Sequence, residues 1–212
     1  NHRSTLMENI KITLESIVRI AALGIIVFYA SIPIVLYIAH RWLPHWRKLR
    51  MKSYIVFILL FLLFDLVAFA AVWRFSGLIT SWRFDGGVPG TVAGVALFVA
   101  GIMIGVTSVR TLSLKVLLGV PELDPDCMSP RLVTNGIYRF IRHPRYLEFI
   151  LESVGIAFLS GFVLNFLFSA YLIVFLTVAA RLEEQELAAR FGEAYTSYRK
   201  NTGFFLPRLY MS

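Results

Sequence analysis

Charged residues are scarce in this chain. They make up 16% of its 212 residues, whereas a soluble domain carries about 25%. Hydrophobic residues make up 58%, and the mean hydropathy is +0.71. These values exclude an ordinary soluble domain and predict an all-α integral membrane protein, in which each helix satisfies its own backbone hydrogen bonds. The net charge of +8 then indicates cationic loops facing anionic lipid, and no nucleic acid partner is expected.

Cysteine is nearly absent, and neither internal repeats nor a secretory signal pattern is visible. The single cysteine, Cys127, excludes an internal disulfide. Histidine and cysteine do not occur at the spacing of a metal site, so no metal is expected. No internal repeat is visible, which argues against a transporter built from duplicated halves. Residues 1–16 are polar and show no secretory signal pattern, so no cleaved leader is expected.

Long apolar runs predict five transmembrane helices in a single membrane domain, 1–212. Three N-terminal spans lie within 17–109, and two shorter runs separated by Gly161 form a C-terminal antiparallel hairpin. The five runs are 17–39, 54–73, 89–109, 146–160 and 162–180. From Arg181 the chain turns polar without Gly or Pro as far as Phe191. The last helix is therefore expected to continue into the aqueous phase, before a second short helix over 193–201.

Lys and Arg are unevenly distributed among the loops. The loops after the first and third spans and the C-terminal tail hold 5, 6 and 5 of them, which is 16 of the 21 in the chain. Cytoplasmic loops carry an excess of these residues. The distribution therefore predicts that both basic loops and the C-terminus are cytoplasmic and that the N-terminus is outside.

Glycines recur four residues apart in the third span, at Gly90 and Gly94 and at Gly101 and Gly105. Small residues at this spacing permit close helix packing. The alternative is that they leave room for a groove that admits a lipid between spans.

Three acids stand inside the apolar runs. Asp65 lies near the middle of the second span, and Glu148 and Glu152 share one face of the first hairpin helix. An acid at membrane depth is costly unless it faces protein, water or a partner. Each is therefore expected to be buried against a partner or to serve a substrate pocket.

A polar stretch, Asn135–Tyr146, joins the third span to the hairpin. The Asn-Gly pair that opens it favours a turn, and Pro144 suits the first turn of a helix. Arg142 and His143 are then expected at a helix N-terminus, which attracts anions. The alternative for this basic stretch is a juxtamembrane anchor.

A second acidic group, Glu183, Glu184 and Glu186, stands where the last span leaves the membrane. The hairpin is antiparallel, so its two ends on this side are neighbours. The Arg142-His143 pair is therefore expected to meet Glu183 and Glu184. The alternative is a plain interface ion-pair network, which is the preferred interpretation for Glu186.

Two motifs bracket the hairpin in order. The first is Gly136-x-Tyr138-Arg139-x-x-Arg142-His143-Pro144-x-Tyr146, and the second is Glu183-Glu184-x-x-Leu187-x-x-x-Phe191-Gly192-x-x-Tyr195-x-x-Tyr198, with Pro207 further on. Over about residues 131–208 this pattern resembles the membrane methyltransferase superfamily that contains isoprenylcysteine carboxyl methyltransferases and phosphatidylethanolamine N-methyltransferases. The first three spans match in general character only.

The resemblance implies a methyltransferase core over 131–208 with a cytoplasmic site for S-adenosyl-L-methionine. The cofactor-binding residues that it implies are Tyr138, Arg142, His143, Pro144, Tyr146, Glu183 and Glu184. Arginine suits the carboxylate of this cofactor, an acid suits its ammonium or ribose, and a tyrosine ring suits its sulfonium or adenine. The expected catalytic residues are Arg142, Glu148 and Glu152. Glu148 departs from the small residue of many relatives, so it belongs to a substrate pocket or pairs with Arg145.

The implied methyl acceptor is lipidic, and membrane lipids are the expected partners. A prenylcysteine-type carboxylate is preferred, because the spacing of the C-terminal motif looks closest to that branch of the superfamily. Such a carboxylate needs no base, since it is already ionised at pH 7. A lipid amine is the alternative, for which Glu148 or Glu152 would act as base. NADPH-dependent sterol reductases carry a segment like the first motif, but the paired acids suit a 2′-phosphate poorly. A non-enzymatic membrane scaffold is a third alternative, which leaves the acids unexplained. The sequence does not indicate an oligomeric state.

Overall fold

The computed structural model describes residues 7–8, 13, 24–25, 27–38, 41–49, 52–79, 81–112, 116 and 131–208. Within these ranges the helices are α1 (Val27–Ile38), α2 (Leu43–Leu49), α3 (Lys52–Arg74), α4 (Ser76–Ile79), α5 (Gly87–Thr111), a 3-10 helix (Gly136–Arg139), α6 (Pro144–Ser160), α7 (Val163–Phe191) and α8 (Glu193–Asn201). Apart from two isolated backbone bridges, the regular structure of this part of the chain is helical. The all-α prediction is confirmed.

Three helices, α3, α5 and α7, are long and apolar enough to cross a membrane. The first two coincide closely with the second and third predicted spans. α1 covers the second half of the first predicted span, and residues 17–23 of that span lie outside the described residues. The protein is membrane-embedded, while the count of five spans and their orientation stay predictions.

The C-terminal hairpin forms where the sequence places it. α6 ends at Gly161, which has a φ of 66°, a left-handed conformation that glycine adopts without a steric penalty. α7 starts two residues later and continues without a break through its polar part to Phe191. The short helix α8 then spans Glu193–Asn201. The predicted hairpin, the extension of its second helix and the short final helix are confirmed.

Close packing of α5 on α6 explains the glycines of the third span. Gly94, Gly101 and Gly105 are buried in this contact. A Cβ atom at Gly101 would lie 2.6 Å from Cγ of Glu152, and one at Gly105 would overlap the Glu148 carboxylate. These glycines therefore let the two helices approach, and they do not line a lipid groove. The alternative expectation of a groove along this face is wrong, because α6 fills it.

Replacing Gly101 with Ala should destabilise the protein, because the new methyl group would meet both Glu152 and the carbonyl oxygen of Glu148, 3.1 Å away. Overpacking of this kind costs about 1–3 kcal/mol. Gly77 is the matched control, since a Cβ there has no atom within 4 Å. Thermal unfolding in detergent micelles should show a lower midpoint for Gly101→Ala than for Gly77→Ala. Equal midpoints would contradict the packing described above.

The apolar core lies between α6 and α7, where Tyr146 and Ile150 pack against Leu172, Leu176 and Ala180. α1 crosses this core, and the hydroxyl of Tyr171 donates a hydrogen bond to the carbonyl oxygen of Ala30, 3.2 Å away. The core thus anchors the first described helix to the hairpin.

α3 contacts α1 through the edge-to-face rings of Phe28 and Phe61, whose centroids are 5.8 Å apart. Asp65, further along α3, is half-buried and interacts with Ser31 of α1. Its Oδ1 atom is buried and has no hydrogen-bond partner among the described residues. Asp65 faces α1, but it is only half-buried where the sequence predicts burial against a partner or a cavity. A substrate role for it stays a prediction.

Candidate active site

The loop before α6 is clamped by the C-terminal tail. Gly136 takes a φ of 56°, as the Asn-Gly pair predicts, and opens the 3-10 helix. The loop then runs parallel to the tail. The amide of Arg142 donates to the carbonyl oxygen of Gly203 at 2.8 Å, the amide of His143 donates to Phe204 at 3.2 Å, and the amide of Gly203 donates to Phe140 at 3.1 Å. Two segments about 60 residues apart therefore form one surface beneath the hairpin.

Arg142 ties this surface to α7. Its Nε donates to Oε1 of Glu184 at 2.6 Å. One of its terminal nitrogens donates to the carbonyl oxygens of Arg199, at 3.1 Å, and of Thr202. The side chains of Arg142 and Glu184 are 7% and 6% exposed. Most of the hydrogen-bonding capacity of this arginine is therefore spent inside the protein.

His143 lies between the two predicted acids. Its Nε2 is 3.3 Å from Oε1 of Glu184 and its Nδ1 is 3.6 Å from Oε2 of Glu183. Its ring stacks on that of Tyr146 with centroids 5.6 Å apart and planes within 2°. Burial alone would lower the pKa of His143, but the hydrogen bonds and negative charges of the two glutamates outweigh it and raise the pKa. The imidazolium form is thereby favoured.

The two acids are not equivalent. Glu184 is buried and faces three cationic groups, which are Arg142, His143 and Nε of Arg199 at 3.5 Å. The side chain of Glu183 is 34% exposed and interacts with the phenol of Tyr146. Glu184 is therefore part of the architecture, and Glu183 is the acid with surface left for a ligand.

A hydrogen bond joins the two motifs. The hydroxyl of Tyr198, in the second motif, donates to the backbone carbonyl oxygen of Tyr138, in the first, at 2.7 Å. The phenol of Tyr138 is close enough to Glu183 for the two to interact, and burial together with that negative charge raises its pKa. Pro144 occupies the first turn of α6, as predicted. The structure thus brings together all seven residues predicted to bind the cofactor.

A cavity of about 580 Å³ adjoins this cluster. It is bounded by one face of α7, by α8 and by the tail. The lining residues are Arg142, Thr177, Arg181, Glu184, Gln185, Ala188, Arg199, Phe204 and Phe205. Arg142 and Glu184 thus belong both to the ion pairs and to the cavity lining, whereas Tyr138, His143, Tyr146 and Glu183 do not line the cavity.

The other two predicted catalytic acids occupy a different face of α6, packed against α5. Glu148 accepts a hydrogen bond from Arg145, as the alternative to a substrate pocket predicts. Glu152 accepts one from the hydroxyl of Tyr29 on α1. Both acids are buried. The structure gives each a protein partner, and neither joins the ion pairs around Arg142.

Sequence reasoning missed Tyr29 and the tail residues Thr202–Phe205. Tyr29 carries a hydroxyl within a largely apolar run. A single hydroxyl of this kind is only a weak signal for a contact with a distant acid. The tail residues contribute mainly backbone groups to the loop, and backbone pairing leaves no side-chain signature.

Comparison with known proteins shows that part of the chain is similar to methyltransferases. Residues 90–194 match the phospholipid methyltransferase family. The chain is 40% identical over 77 residues to the protein-S-isoprenylcysteine O-methyltransferase of Schizosaccharomyces pombe, which covers 36% of this chain and 33% of that protein. It is 26% identical over 154 residues to the methanethiol S-methyltransferase of Crocosphaera subtropica, which covers 69% of this chain and 59% of that protein.

A third relative is methanethiol S-methyltransferase 1 of Bradyrhizobium diazoefficiens, 33% identical over 85 residues, or 39% of this chain and 28% of that protein. The matched parts thus span between about a quarter and three-fifths of the length of these curated relatives. No solved structure matches the chain. The family match covers α6 and α7 together with the first motif and both acids of the second. Over this part of its length the chain is therefore similar to the membrane methyltransferases of the phospholipid methyltransferase and isoprenylcysteine O-methyltransferase kind.

Proposed function

We propose that this protein is an S-adenosyl-L-methionine-dependent methyltransferase that acts on a lipidic acceptor at the membrane surface. The observation that carries the proposal is the meeting of Arg142 and His143 with Glu183 and Glu184 at one end of the hairpin. This end is also where α7 passes from apolar to polar sequence. A water-borne donor and a membrane-borne acceptor can meet there.

The residues present fit such a donor. S-adenosyl-L-methionine carries an ammonium, a sulfonium, ribose hydroxyls and one carboxylate. Glu183, which is one-third exposed, would accept hydrogen bonds from the ammonium or the ribose. The ring of Tyr138 beside it offers a π face to a cation. The second terminal nitrogen of Arg142, which has no hydrogen bond to a described residue, and the backbone at the start of α6 would hold the carboxylate.

When bound, the cofactor supplies an electrophilic methyl group on its sulfonium. The contribution of the chain is then mainly positioning, because methyl transfer is an in-line displacement. Glu184, Arg142 and His143 hold the loop, α7 and the tail in fixed relation, so that Glu183 and Tyr138 are presented without reorganisation. Roles for Arg142, Glu148 and Glu152 in catalysis are part of the same proposal.

The preferred acceptor is a prenylcysteine-type carboxylate, which is supported by the 40% identity to the isoprenylcysteine enzyme. A carboxylate is ionised at pH 7 and requires no base. A lipid amine is the second candidate, favoured by the match to the phospholipid methyltransferase family. The longest of the three alignments is with a methanethiol S-methyltransferase, and it supports a thiol as a third class of methyl acceptor. An amine or a thiol must lose a proton, and Glu152 could receive it.

Radiolabelled methyl transfer to farnesylcysteine, to an aminophospholipid and to a small thiol, assayed in parallel, tests the acceptor. We expect label in farnesylcysteine and little effect of Glu152→Gln on that reaction. General acid–base catalysis typically contributes about 10²–10⁴-fold, so a loss of that size in Glu152→Gln would indicate an amine or thiol acceptor. Label only in the aminophospholipid or the thiol would reject the preferred acceptor and keep the reaction class. No label in any of them would contradict the proposed function.

A further inference from the structure

Apart from Arg142 and Glu184, the residues that line the cavity have no part in the proposed methyl transfer. Arg181, Gln185 and Ala188 of α7 contribute one face of it, and Arg199 of α8 contributes another. Neither Tyr138 nor Glu183 reaches it. Its volume of about 580 Å³ lies within the range of ligand sites, about 300–1,000 Å³.

The charge of this cavity is positive. Three of its lining residues are arginines and one is an acid, Glu184. That acid is already contacted by Arg142 and Arg199. Arg181 is exposed and forms no ion pair with a residue that the structure describes. The lining therefore carries more positive than negative charge, and it suits an anion.

The cavity lies where α7 passes from apolar to polar sequence. From Val163 to Ala180 α7 carries no charged residue, and Arg181 is the first. One to two turns deeper, the same helix exposes Ile173, Val174, Phe175 and Val178. An arginine at this depth reaches the level of lipid phosphates while its stem stays in apolar surroundings. An amphiphile could therefore place its head in the cavity and its chain along α7.

We propose that this cavity binds the phosphate head group of an anionic phospholipid. The planar guanidinium of arginine matches phosphate in a two-pronged geometry, and basic pockets beside membrane helices on the cytoplasmic side are typical sites for such head groups. Gln185 adds a neutral hydrogen-bonding group, and Phe204 and Phe205 cover the wall formed by the tail. A lipid phosphate between Arg181 and Arg199 would join α7 to α8 from outside. This inference does not depend on the methyl-transfer proposal.

Native mass spectrometry of the purified full chain in detergent tests this site. It measures the binding of phosphatidylglycerol and of phosphatidylcholine to the chain. Arg181→Gln should weaken phosphatidylglycerol binding about fivefold, since a cationic side chain near an anionic lipid surface contributes about 1 kcal/mol. Arg190→Gln is the matched control, because Arg190 is on the same helix but outside the cavity lining. It should leave the affinity for phosphatidylglycerol unchanged. Phosphatidylcholine should bind more weakly to the unmodified chain and respond less to Arg181→Gln.

Two further measurements distinguish an anionic phospholipid from other possible ligands of this cavity. Affinity for S-adenosylhomocysteine should be unchanged in Arg181→Gln; a loss there would mean that the cavity is the donor site and would overturn the proposal. Inorganic phosphate should compete poorly with phosphatidylglycerol; competition at equal concentration would indicate a soluble anion instead. Equal binding of the two lipids, or no effect of Arg181→Gln, would also overturn it.

Discussion

Glu183→Gln is expected to weaken S-adenosylhomocysteine binding about 10–100-fold while leaving thermal unfolding unchanged. Glu183 is one-third exposed and has His143 as its charged neighbour at 3.6 Å. Glutamine has nearly the same shape and keeps an oxygen that can accept a hydrogen bond from the Tyr146 phenol, so the packed structure is expected to stay intact. A hydrogen bond to a charged group contributes about 1.5–3 kcal/mol, which corresponds to the expected loss of affinity. Isothermal titration calorimetry measures the affinity, and a thermal scan in detergent measures the stability.

Glu184→Gln is the matched comparison and should behave in the opposite way. Its carboxylate is buried against Arg142, His143 and Arg199, so neutralising it leaves buried cations uncompensated. The unfolding midpoint should fall clearly, and donor affinity should fall with the loss of folded protein. If Glu183→Gln instead lowered the midpoint and bound the ligand normally, the division of roles between the two acids would be wrong.

Arg142→Gln is expected to lower the free energy of unfolding by about 3–5 kcal/mol, the usual cost of removing one partner of a buried ion pair. Arg142 bonds Glu184 on α7 and the carbonyl oxygens of Arg199 and Thr202. Its removal should therefore also release the tail. Denaturant unfolding gives the stability, and limited proteolysis near residues 199–208 reports the release.

Two variants control this result. Arg139→Gln, on an exposed position of the 3-10 helix, should be close to neutral, because it carries the same change in charge without the buried contacts. The double variant Arg142→Gln with Glu184→Gln should cost less than the sum of the two single changes, since it removes both partners of the pair. Strict additivity, or a tail as resistant as in the unmodified chain, would contradict the role assigned to Arg142.

The sequence predicts the hairpin well because the signals are local. Gly161 adopts the left-handed conformation that ends α6, and the polar part of α7 contains no breaker before Gly192. The meeting of Arg142 with Glu184 follows from the antiparallel hairpin, which fixes which ends are neighbours. Each of these features can be predicted from one short segment of sequence or from the antiparallel arrangement of the hairpin.

The contacts that the sequence does not predict join distant segments. Tyr29 and Glu152 are separated by 123 residues, and no periodicity links a tyrosine in one span to an acid in another. The tail pairs with the loop through backbone groups of Gly203 and Phe204, which any residue type could supply. The different roles of Glu183 and Glu184 depend on which side of α7 faces the tail, and two adjacent identical residues give no hint of that.

The most direct test of the central claim is calorimetric titration of the purified protein with S-adenosylhomocysteine and, separately, with NADPH. The paired acids beside the Arg142-His143 segment favour S-adenosyl-L-methionine, which carries an ammonium. They disfavour NADPH, which carries a 2′-phosphate. We expect saturable binding of S-adenosylhomocysteine that Glu183→Gln weakens, and no binding of NADPH. Tight binding of NADPH with no response to S-adenosylhomocysteine would contradict the proposed function.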